Sequence, residues 1–325
     1  MIRPRRRPSD SGLSHSCTHS VGRLKNKYKY VCKHGGIEMN QRAYFSLTKP
    51  AIVALLLFTS VAMMLTAHFV EEADPGVAIW VLAILSVYLT TSGTNAVTCY
   101  IDRDVDRIMG RTQKRPIPRD QIRPDRRAAL FGGALVIAGL VLAFPVGLLF
   151  LFIGILGVVD TVVVYSAGLK RRTPWNIILG GFGGGLPALG GWVAITGSIG
   201  LIPLMAFSLV VAWIPGHIWS LALLYKDEYS KAGIPMLPVV TSERGALRCI
   251  ASTALIMFGI SLSLAYFGGL GLVYTMSAVL LGIPALTLGF LLVASPTKRN
   301  AKLLFKFSSP YLFLLFLAMV IGALL

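Results

Sequence analysis

The residues best suited to chemistry lie in the segment 100–107, YIDRDVDR, which follows a long apolar run. Asp102 and Asp106 are four positions apart, so on a helix both carboxylates project from one face, where together they can hold Mg²⁺ against a substrate phosphate. Asp104 points to the opposite side. A solvated, charged helix end is the ordinary interpretation of such a pattern. The bases that follow favour a diphosphate site instead, with acids for a metal beside bases for an anion. They are Arg111, Lys114, Arg115 and Arg119.

A second polar loop, 169–176 or LKRRTPWN, carries three consecutive bases at a predicted membrane edge. Such runs commonly determine topology or contact lipid head groups. Beside another anion-binding loop they become candidates for gripping a diphosphate, arginine by paired hydrogen bonds and lysine as a point charge. The residues predicted to bind substrate here are Lys170, Arg171 and Arg172, together with Tyr165, which precedes Lys170 by five positions.

The third polar loop, 225–238, has the sequence YKDEYSKAGIPMLP and contains Asp227 and Glu228. It follows the first acidic loop by four predicted spans, so both loops emerge on the same face of the membrane. Two carboxylate clusters that face one cavity suit a diphosphate bridged by Mg²⁺, because two metal ions neutralise a highly charged leaving group. We therefore predict that Asp102, Asp106 and Asp227 are catalytic metal ligands, with Glu228 as a further ligand.

The composition shows which elements must position these loops. Hydrophobic residues make up 55% of the 325 residues, charged residues 14%, and the mean hydropathy is +0.70, which no ordinary soluble domain approaches. The sequence therefore predicts an all-α, polytopic membrane protein with nine spans, each having about 20 apolar residues. The spans are predicted near 50–69, 77–99, 128–144, 146–166, 176–196, 201–224, 249–267, 271–293 and 303–325.

A formal net charge of +17 would suggest a nucleic-acid partner for a soluble protein, but the placement of the charge points away from one. With nine spans, all 31 Lys and Arg residues fall on one side. The connections on the other side, near 70–76, 145, 197–200 and 268–270, contain no base. By the positive-inside rule the basic loops face the cytoplasm of a prokaryote or the matrix of a mitochondrion. One span more or fewer would scatter the charge.

Residues 1–38 form a basic leader that is separate from the domain 39–325. They contain nine bases, only Asp10 and Glu38 as acids, and no apolar run that could be a signal-peptide core or a span. A mitochondrial transit segment would place the protein in the inner membrane. We favour a disordered extension or a start at Met39, because no amphipathic stripe is visible.

Polar residues within the spans carry weight because they are costly in a membrane. Asn95 lies seven positions before Asp102, hence on the same helical face, and is predicted to point toward the site. His217, beside a Pro-Gly break, lies ten positions before Asp227 and is either a packing residue of the bundle or a contact of the acceptor. Asp160 has no obvious basic partner. The glycine-rich segment 180–187 permits close helix packing.

The chain resembles the UbiA superfamily of intramembrane prenyltransferases and, within it, the branch that farnesylates haem. The similarity runs from 47–50 (LTKP) to 307–311 (FSSPY). Its specific segments are 100–106 with 111–116 (RTQKRP), 169–176, and His217 through Asp227 to 232–238 (AGIPMLP); the last two point to the haem branch.

One position departs from the superfamily's usual first motif, Asn-x-x-x-Asp-x-x-x-Asp. Asp102 and Asp106 match its two acids, but the position four before Asp102 is Thr98. Asn95, about one turn earlier, is a candidate substitute.

The resemblance implies nine helices around a cavity with a polar mouth on the loop side and a wall open to membrane lipid. Mg²⁺ is the implied cofactor, and farnesyl diphosphate and haem B are the implied substrates. A farnesyl group would join a haem vinyl group, and water addition would give haem O and diphosphate. Downstream haem-modifying or oxidase-assembly proteins are the implied partners.

Two alternatives stay open at this point. One is a prenyltransferase whose acceptor is a quinone precursor, a chlorin or a glycerolipid. A transporter is the alternative from another class, but transporters commonly use inverted repeats with charges near the midplane. Here the related acidic loops share one face, which indicates a parallel repeat with its chemistry at the membrane edge.

Overall fold

The computed structural model describes residues 41–325, and that part of the chain is helical and contains no strand. Within it, nine helices are long and apolar enough to cross a membrane. In chain order they are α1 Pro50–Val70, α2 Val77–Ile101, α3 Arg126–Ala143, α4 Leu148–Leu169, α5 Asn176–Thr196, α6 Leu201–Leu224, α7 Glu243–Phe267, α8 Gly271–Ala294 and α9 Lys298–Leu324. The predicted leader 1–38 lies outside the described residues.

The predicted all-α fold with nine spans is confirmed, and the protein is a multi-pass integral membrane protein. Two spans begin earlier than their apolar runs, α7 at Glu243 and α9 at Lys298. At both starts a hydroxyl caps the helix, since Ser242 and Thr297 each accept the backbone N–H three residues later at 3.2 Å. Hydropathy therefore locates the membrane-embedded part of a span, whereas the capping side chain determines where its helix begins.

Helix α4 changes its winding half-way. It is an α-helix over Leu148–Val158 and a π-helix over Val159–Leu169. The wider winding continues to Lys170, whose backbone N–H donates to the Tyr165 carbonyl oxygen at 2.9 Å. Hydropathy does not distinguish the two forms, because both present the same apolar side chains. A π-helix is rare and often lies at a functional site, and this one leads directly into the second polar loop.

Helix α5 is interrupted where its glycine-rich segment begins. It consists of Asn176–Leu179 followed by Phe182–Thr196. The second part has no capping side chain of its own, but its Gly183 N–H donates to Asp160 Oδ2 of α4 at 2.7 Å. Asp160 thus satisfies an otherwise unpaired donor at a helix start. This contact accounts for an acidic residue within a membrane span.

The same glycines allow the close packing that the sequence predicts. A Cβ atom at Gly180 would lie 2.6 Å from the Tyr165 Cβ of α4, and one at Gly184 would lie 2.6 Å from Ile214 Cδ1 of α6. Neither position has room for a side chain. Small residues therefore bring α5 against both neighbours.

The helices pack against one another in a continuous bundle. Helix α2 packs along α3, α1 packs along α5, and α6 contacts α5, α7 and α9, while α8 lies between α7 and α9. The main apolar core includes the fully buried side chains of Trp192, Tyr274 and Phe316. Since dispersion contacts rather than water exclusion hold helices together in lipid, this close packing stabilises the bundle.

A second apolar cluster joins the polar loops to the bundle. Val105 and Met109 from the first loop pack with Tyr229 and Met236 from the third loop and with Trp219 of α6. All five side chains are buried. The cluster holds the two acidic loops side by side, as their shared membrane face predicts.

Candidate active site

The acidic pair of the first loop is buried. Asp102 is the residue at which α2 ends and the short helix Arg103–Ile108 begins, and Asp106 lies one turn later on that helix. Each residue is 3% exposed. Asp104 is exposed and lies 3.9 Å from both Arg103 and Arg107. The spacing thus predicted the arrangement, with two carboxylates inward and one outward.

Each buried carboxylate is held by one cation. Arg115 Nη1 donates to both Asp106 oxygens, at 2.8 and 2.7 Å, and Lys170 Nζ donates to Asp102 Oδ2 at 2.5 Å. Burial opposes the charge of Arg115, but the Asp106 carboxylate outweighs that effect and raises the pKa of Arg115 above its ordinary value. Asp102 Oδ1 is buried and has no hydrogen-bond partner in the described chain. One carboxylate oxygen is therefore free to bind a cation.

The second polar loop is fastened to the acids from the other side. Asn176 is fully buried, and its amide donates to the carbonyl oxygens of Lys170 at 3.3 Å and Thr173 at 2.7 Å. Arg171 Nη2 donates to the Ile101 carbonyl oxygen at 3.0 Å. Arg172 is exposed. Asn176 was not among the predicted residues, although a polar residue at the start of a span was a usable signal.

Tyr165 lies beside this loop. Its ring centroid is 5.7 Å from Lys170 Nζ, on the face of the ring that attracts a cation. The π-helical winding of α4 brings the tyrosine next to a lysine five positions later. Lys170 is thus oriented by an aromatic ring as well as by Asp102.

The third loop meets the first through Glu228. Glu228 Oε2 accepts the Arg111 backbone N–H at 3.1 Å, and Arg111 Nη2 donates to the Tyr229 hydroxyl at 3.4 Å. Asp227 is exposed and makes no hydrogen bond or ion pair within residues 41–325, and Lys114 is exposed as well. Within those residues no three His, Cys, Asp or Glu side chains converge. The two acidic loops therefore adjoin, but, in the part of the chain that the structure describes, no three of their four carboxylates gather at one point.

An apolar groove runs into the bundle below the acids, between α1, α2, α4 and α5. Asn95 lines it, on the same side of α2 as Asp102, as the spacing predicts. Thr91 and Thr94 also line it, but their hydroxyls donate to carbonyl oxygens of their own helix at 2.6 and 2.7 Å. The methyl groups of these two threonines are therefore the parts left to line the groove. The other lining residues include Leu56, Val87, Phe150, Ile153, Val158, Leu186 and Pro187.

Buried acids, paired cations and an apolar groove in a nine-helix bundle agree with a family comparison. A model described as the UbiA prenyltransferase family matches residues 55–320. The chain belongs to this family.

Named relatives cover nearly the whole chain. This UbiA-family protein is 44% identical over 310 residues to a protoheme IX farnesyltransferase of Desulforudis audaxviator, which covers 94% of this chain and 96% of the relative. It is 40% identical over 282 residues to a protoheme IX farnesyltransferase of Thermoplasma acidophilum, which covers 86% and 96%.

Solved structures share the fold. A structure of digeranylgeranylglyceryl phosphate synthase has a TM-score of 0.72 at 20% identity and covers 87% of this chain and 98% of its own. A UbiA homologue from Archaeoglobus fulgidus bound to DMAPP and Mg²⁺ has a TM-score of 0.61 at 19% identity, with 87% and 99% covered.

Lys49 lies close to the buried acids, and the sequence prediction did not include it. Its Nζ donates to Thr98 Oγ1 at 3.0 Å, and Thr98, at the position of the motif asparagine, donates to the Asn95 carbonyl oxygen at 2.8 Å. Burial lowers the pKa of Lys49; the charges of Arg115 and Lys170 act in the same direction, whereas Cys99 and Asp102 oppose it. A lysine directly before the first span resembles an ordinary positive-inside residue, which conceals its position beside the acids.

His217 lies in a different part of the bundle from the groove. It lines a small cavity between α6, α7, α8 and α9, and its ring is stacked between Trp213 and Phe305, with centroids 4.5 Å away on each side. Nδ1 lies 2.7 Å from Ser308 Oγ. The single hydroxyl hydrogen of Ser308 is donated to the Phe305 carbonyl oxygen at 2.8 Å, so Nδ1 is the donor to Ser308. The Nε2 lone pair is left without a hydrogen bond in the described chain.

Proposed function

We propose that this UbiA-family enzyme transfers a farnesyl group from farnesyl diphosphate to a vinyl group of haem B, with addition of water, to give haem O and diphosphate. The observation that carries the proposal is the buried acid–base mouth above an apolar groove, in a chain that resembles protoheme IX farnesyltransferases along nearly their whole length. A UbiA-type acceptor of another kind, such as a quinone precursor, is the competing assignment.

The cationic residues at the mouth would bind the diphosphate. Arg115 and Lys170 already lie beside the buried carboxylates, and Arg111 and Arg171 contact backbone or tyrosine groups at the rim. When the C1–O bond of farnesyl diphosphate breaks, negative charge develops on the diphosphate. Fixed cations in a site shielded from water stabilise that charge strongly. The exposed Lys114 and Arg172 would add to the attraction of the anion from solution.

The acids fit Mg²⁺, which prefers oxygen ligands and is commonly shared between carboxylates and substrate phosphates. The free, buried Asp102 Oδ1 is the atom that supports this fit. Asp102 and Asp106 would hold one ion, and Asp227 and Glu228 from the third loop, whose carboxylates do not converge with them, would hold a second. When bound, Mg²⁺ neutralises charge on the diphosphate. The A. fulgidus homologue that shares the fold was solved with DMAPP and Mg²⁺.

The groove would hold the farnesyl chain and protect the allylic cation. Its side chains are mostly apolar, and its Thr91 and Thr94 hydroxyls are held against carbonyl oxygens of their own helix. The vinyl π-electron pair then forms the new C–C bond. The carbon next to the porphyrin becomes cationic, takes up water and loses a proton. Exclusion of water from the groove prevents premature hydrolysis.

His217 is proposed to contact the acceptor. Its neutral tautomer, fixed by Ser308, leaves Nε2 free, as iron ligation by imidazole requires. Two stacked aromatic rings hold the imidazole plane. Because His217 does not line the groove, the haem would lie toward α6 and α9, and the farnesyl chain toward α2 and α4.

A product analysis tests the proposal. Membranes containing the protein are incubated with haem B, farnesyl diphosphate and Mg²⁺, and lipophilic products are identified by mass spectrometry. We expect haem O from the wild type and none from a protein with both Asp102→Asn and Asp106→Asn. A prenylated quinone precursor, chlorin or glycerolipid as the sole product, in a membrane extract supplied with each acceptor, would overturn the haem assignment.

A further inference from the structure

Lys49 is held in a strained backbone conformation beside the acids. It lies between the short helix Gln41–Leu47 and Pro50 and has φ 53° and ψ 65°, in the left-handed region that residues other than glycine rarely adopt. Such conformations persist only where surrounding contacts impose them, and they occur often at functional sites. Here the conformation accompanies the contact of the side chain with Thr98 on α2, one turn before Asp102.

Within residues 41–325, the Lys49 side chain forms no ion pair. Asp106 is paired with Arg115 and Asp102 with Lys170, so three cations lie near two carboxylates. Among the described residues, the Lys49 ammonium donates to one group, the neutral Thr98 hydroxyl. A partly buried charge without a counter-ion is costly. This surplus positive charge therefore calls for an anionic ligand.

Thr98 is arranged to hold the ammonium rather than to bind a metal. Its one hydrogen is donated to the Asn95 carbonyl oxygen, so its oxygen accepts from Lys49. An ammonium group has three N–H donors, and only one is used here. Two donors remain available to an anion.

We propose that Lys49 binds the diphosphate of the prenyl donor from the α1 side, and that Thr98 replaces the motif asparagine in order to position this lysine. The inference rests on the proposed function. It adds a third cation, from a third segment of the chain, to the pair formed by Arg115 and Lys170. A lipid phosphate at the membrane edge has the same chemistry as the diphosphate, so the test separates the two ligands.

The test compares Lys49→Met, Lys49→Arg and Thr98→Val with the wild type, all as full chains in phosphatidylcholine nanodiscs. Farnesyl diphosphate with Mg²⁺ is titrated calorimetrically, and farnesol, which lacks the diphosphate, is titrated as the control ligand. Loss of one hydrogen bond to a charged group predicts donor binding weaker by about tenfold to a hundredfold in Lys49→Met. Thr98→Val should weaken it about tenfold. Farnesol affinity should not change. Lys302→Met, at an exposed lysine of α9, is the matched control and should bind as the wild type does.

The outcomes separate this inference from the proposed function. If the wild type neither binds farnesyl diphosphate nor forms haem O, the proposed function fails. If the wild type binds and both Lys49→Met and Thr98→Val bind equally well, the inference fails. If Lys49→Met does not fold, Thr98→Val and Lys49→Arg decide, since wild-type affinity in both overturns it. Retention of phosphatidylglycerol is measured separately, after purification of each variant from nanodiscs that also contain this lipid. If Lys49→Met loses phosphatidylglycerol but keeps its farnesyl diphosphate affinity, Lys49 belongs to a lipid site and the inference is overturned.

Discussion

At the scale of single residues, a single helical turn contains two buried acids with an exposed acid between them. Asp102 and Asp106 are buried and ion-paired, whereas Asp104 is exposed and lies 3.9 Å from each of two arginines. The i, i+4 spacing alone produces this difference, because residues four apart share a helical face. Chemical importance should follow the same division.

We expect Asp102→Asn and Asp106→Asn each to reduce farnesyl transfer by about 100-fold or more, since each removes a carboxylate that is proposed to hold Mg²⁺ against the leaving group. Asp104→Asn is the matched control and should retain most activity, because exposed ion pairs contribute little. Activity is measured per folded molecule, with size-exclusion chromatography as the folding check. Near-normal turnover by folded Asp102→Asn protein would rule out its assigned role.

His217 gives a second prediction at this scale. Replacing His217 with Ala should remove the haem ligand and shift the Soret band, while farnesyl diphosphate affinity stays as in the wild type. Ser308→Ala removes the partner that fixes the tautomer and should weaken haem binding by about 10- to 100-fold, as loss of such supporting contacts does in metal sites. Haem is titrated into purified protein and followed by absorbance. An unchanged spectrum and turnover in both variants would leave His217 a packing residue.

At the scale of elements, the loops are positioned by helices that deviate from regular geometry. Helix α4 ends as a π-helix, which brings Tyr165 beside Lys170. Helix α5 is interrupted, and Asn176 at its start fixes the second loop. Asp160 connects the two irregular helices, since it accepts from Gly183 at the restart of α5.

Asp160→Ala should destabilise the protein by about 1 kcal/mol or more, because it leaves the Gly183 N–H without its acceptor. Asp160→Asn keeps an acceptor oxygen in place and should be close to the wild type in stability. Both variants are compared by thermal unfolding in detergent. Equal losses of stability in the two variants would show that Asp160 stabilises the protein through its carboxylate charge and not through the capping hydrogen bond.

At the scale of the whole molecule, all bases of the described helices and loops lie at one end of the bundle. The connections at the other end contain no base, and the first of them, residues 71–76 between α1 and α2, contains three acids. By the positive-inside rule, this distribution predicts that the three polar loops face the cytoplasm or the matrix. The site would then receive its substrates from that side and from the membrane.

Single cysteines in a cysteine-free variant test this orientation. In intact cells of a bacterial expression host, a membrane-impermeant maleimide should label Asp74→Cys but not Gln113→Cys, and both should react after lysis. Asp74 and Gln113 are not assigned to the site, and they lie on opposite predicted sides. Labelling of Gln113→Cys alone in intact cells would reverse the topology and place the active-site loops outside.

The sequence by itself determined the number of spans, the shared side of the basic loops and the fact that Asp102 and Asp106 share one helical face. Each follows from local information, namely apolar length, charge position and helical period. The sequence also placed Asn95 on the correct helical side. These features need no knowledge of which helices are neighbours.

Only the tertiary structure decided which distant groups meet. It brings Glu228 rather than Asp227 against the first loop, and it places Lys49 against Thr98, one turn before Asp102. It also places His217 in a cavity apart from the groove. Asp227 and Glu228 are adjacent in sequence, so a small rotation of one short helix selects between them. Lys49 reaches the acids because α1 approaches α2 at the membrane edge. Contacts of this kind depend on helix packing over long sequence separations, which neither periodicity nor composition records.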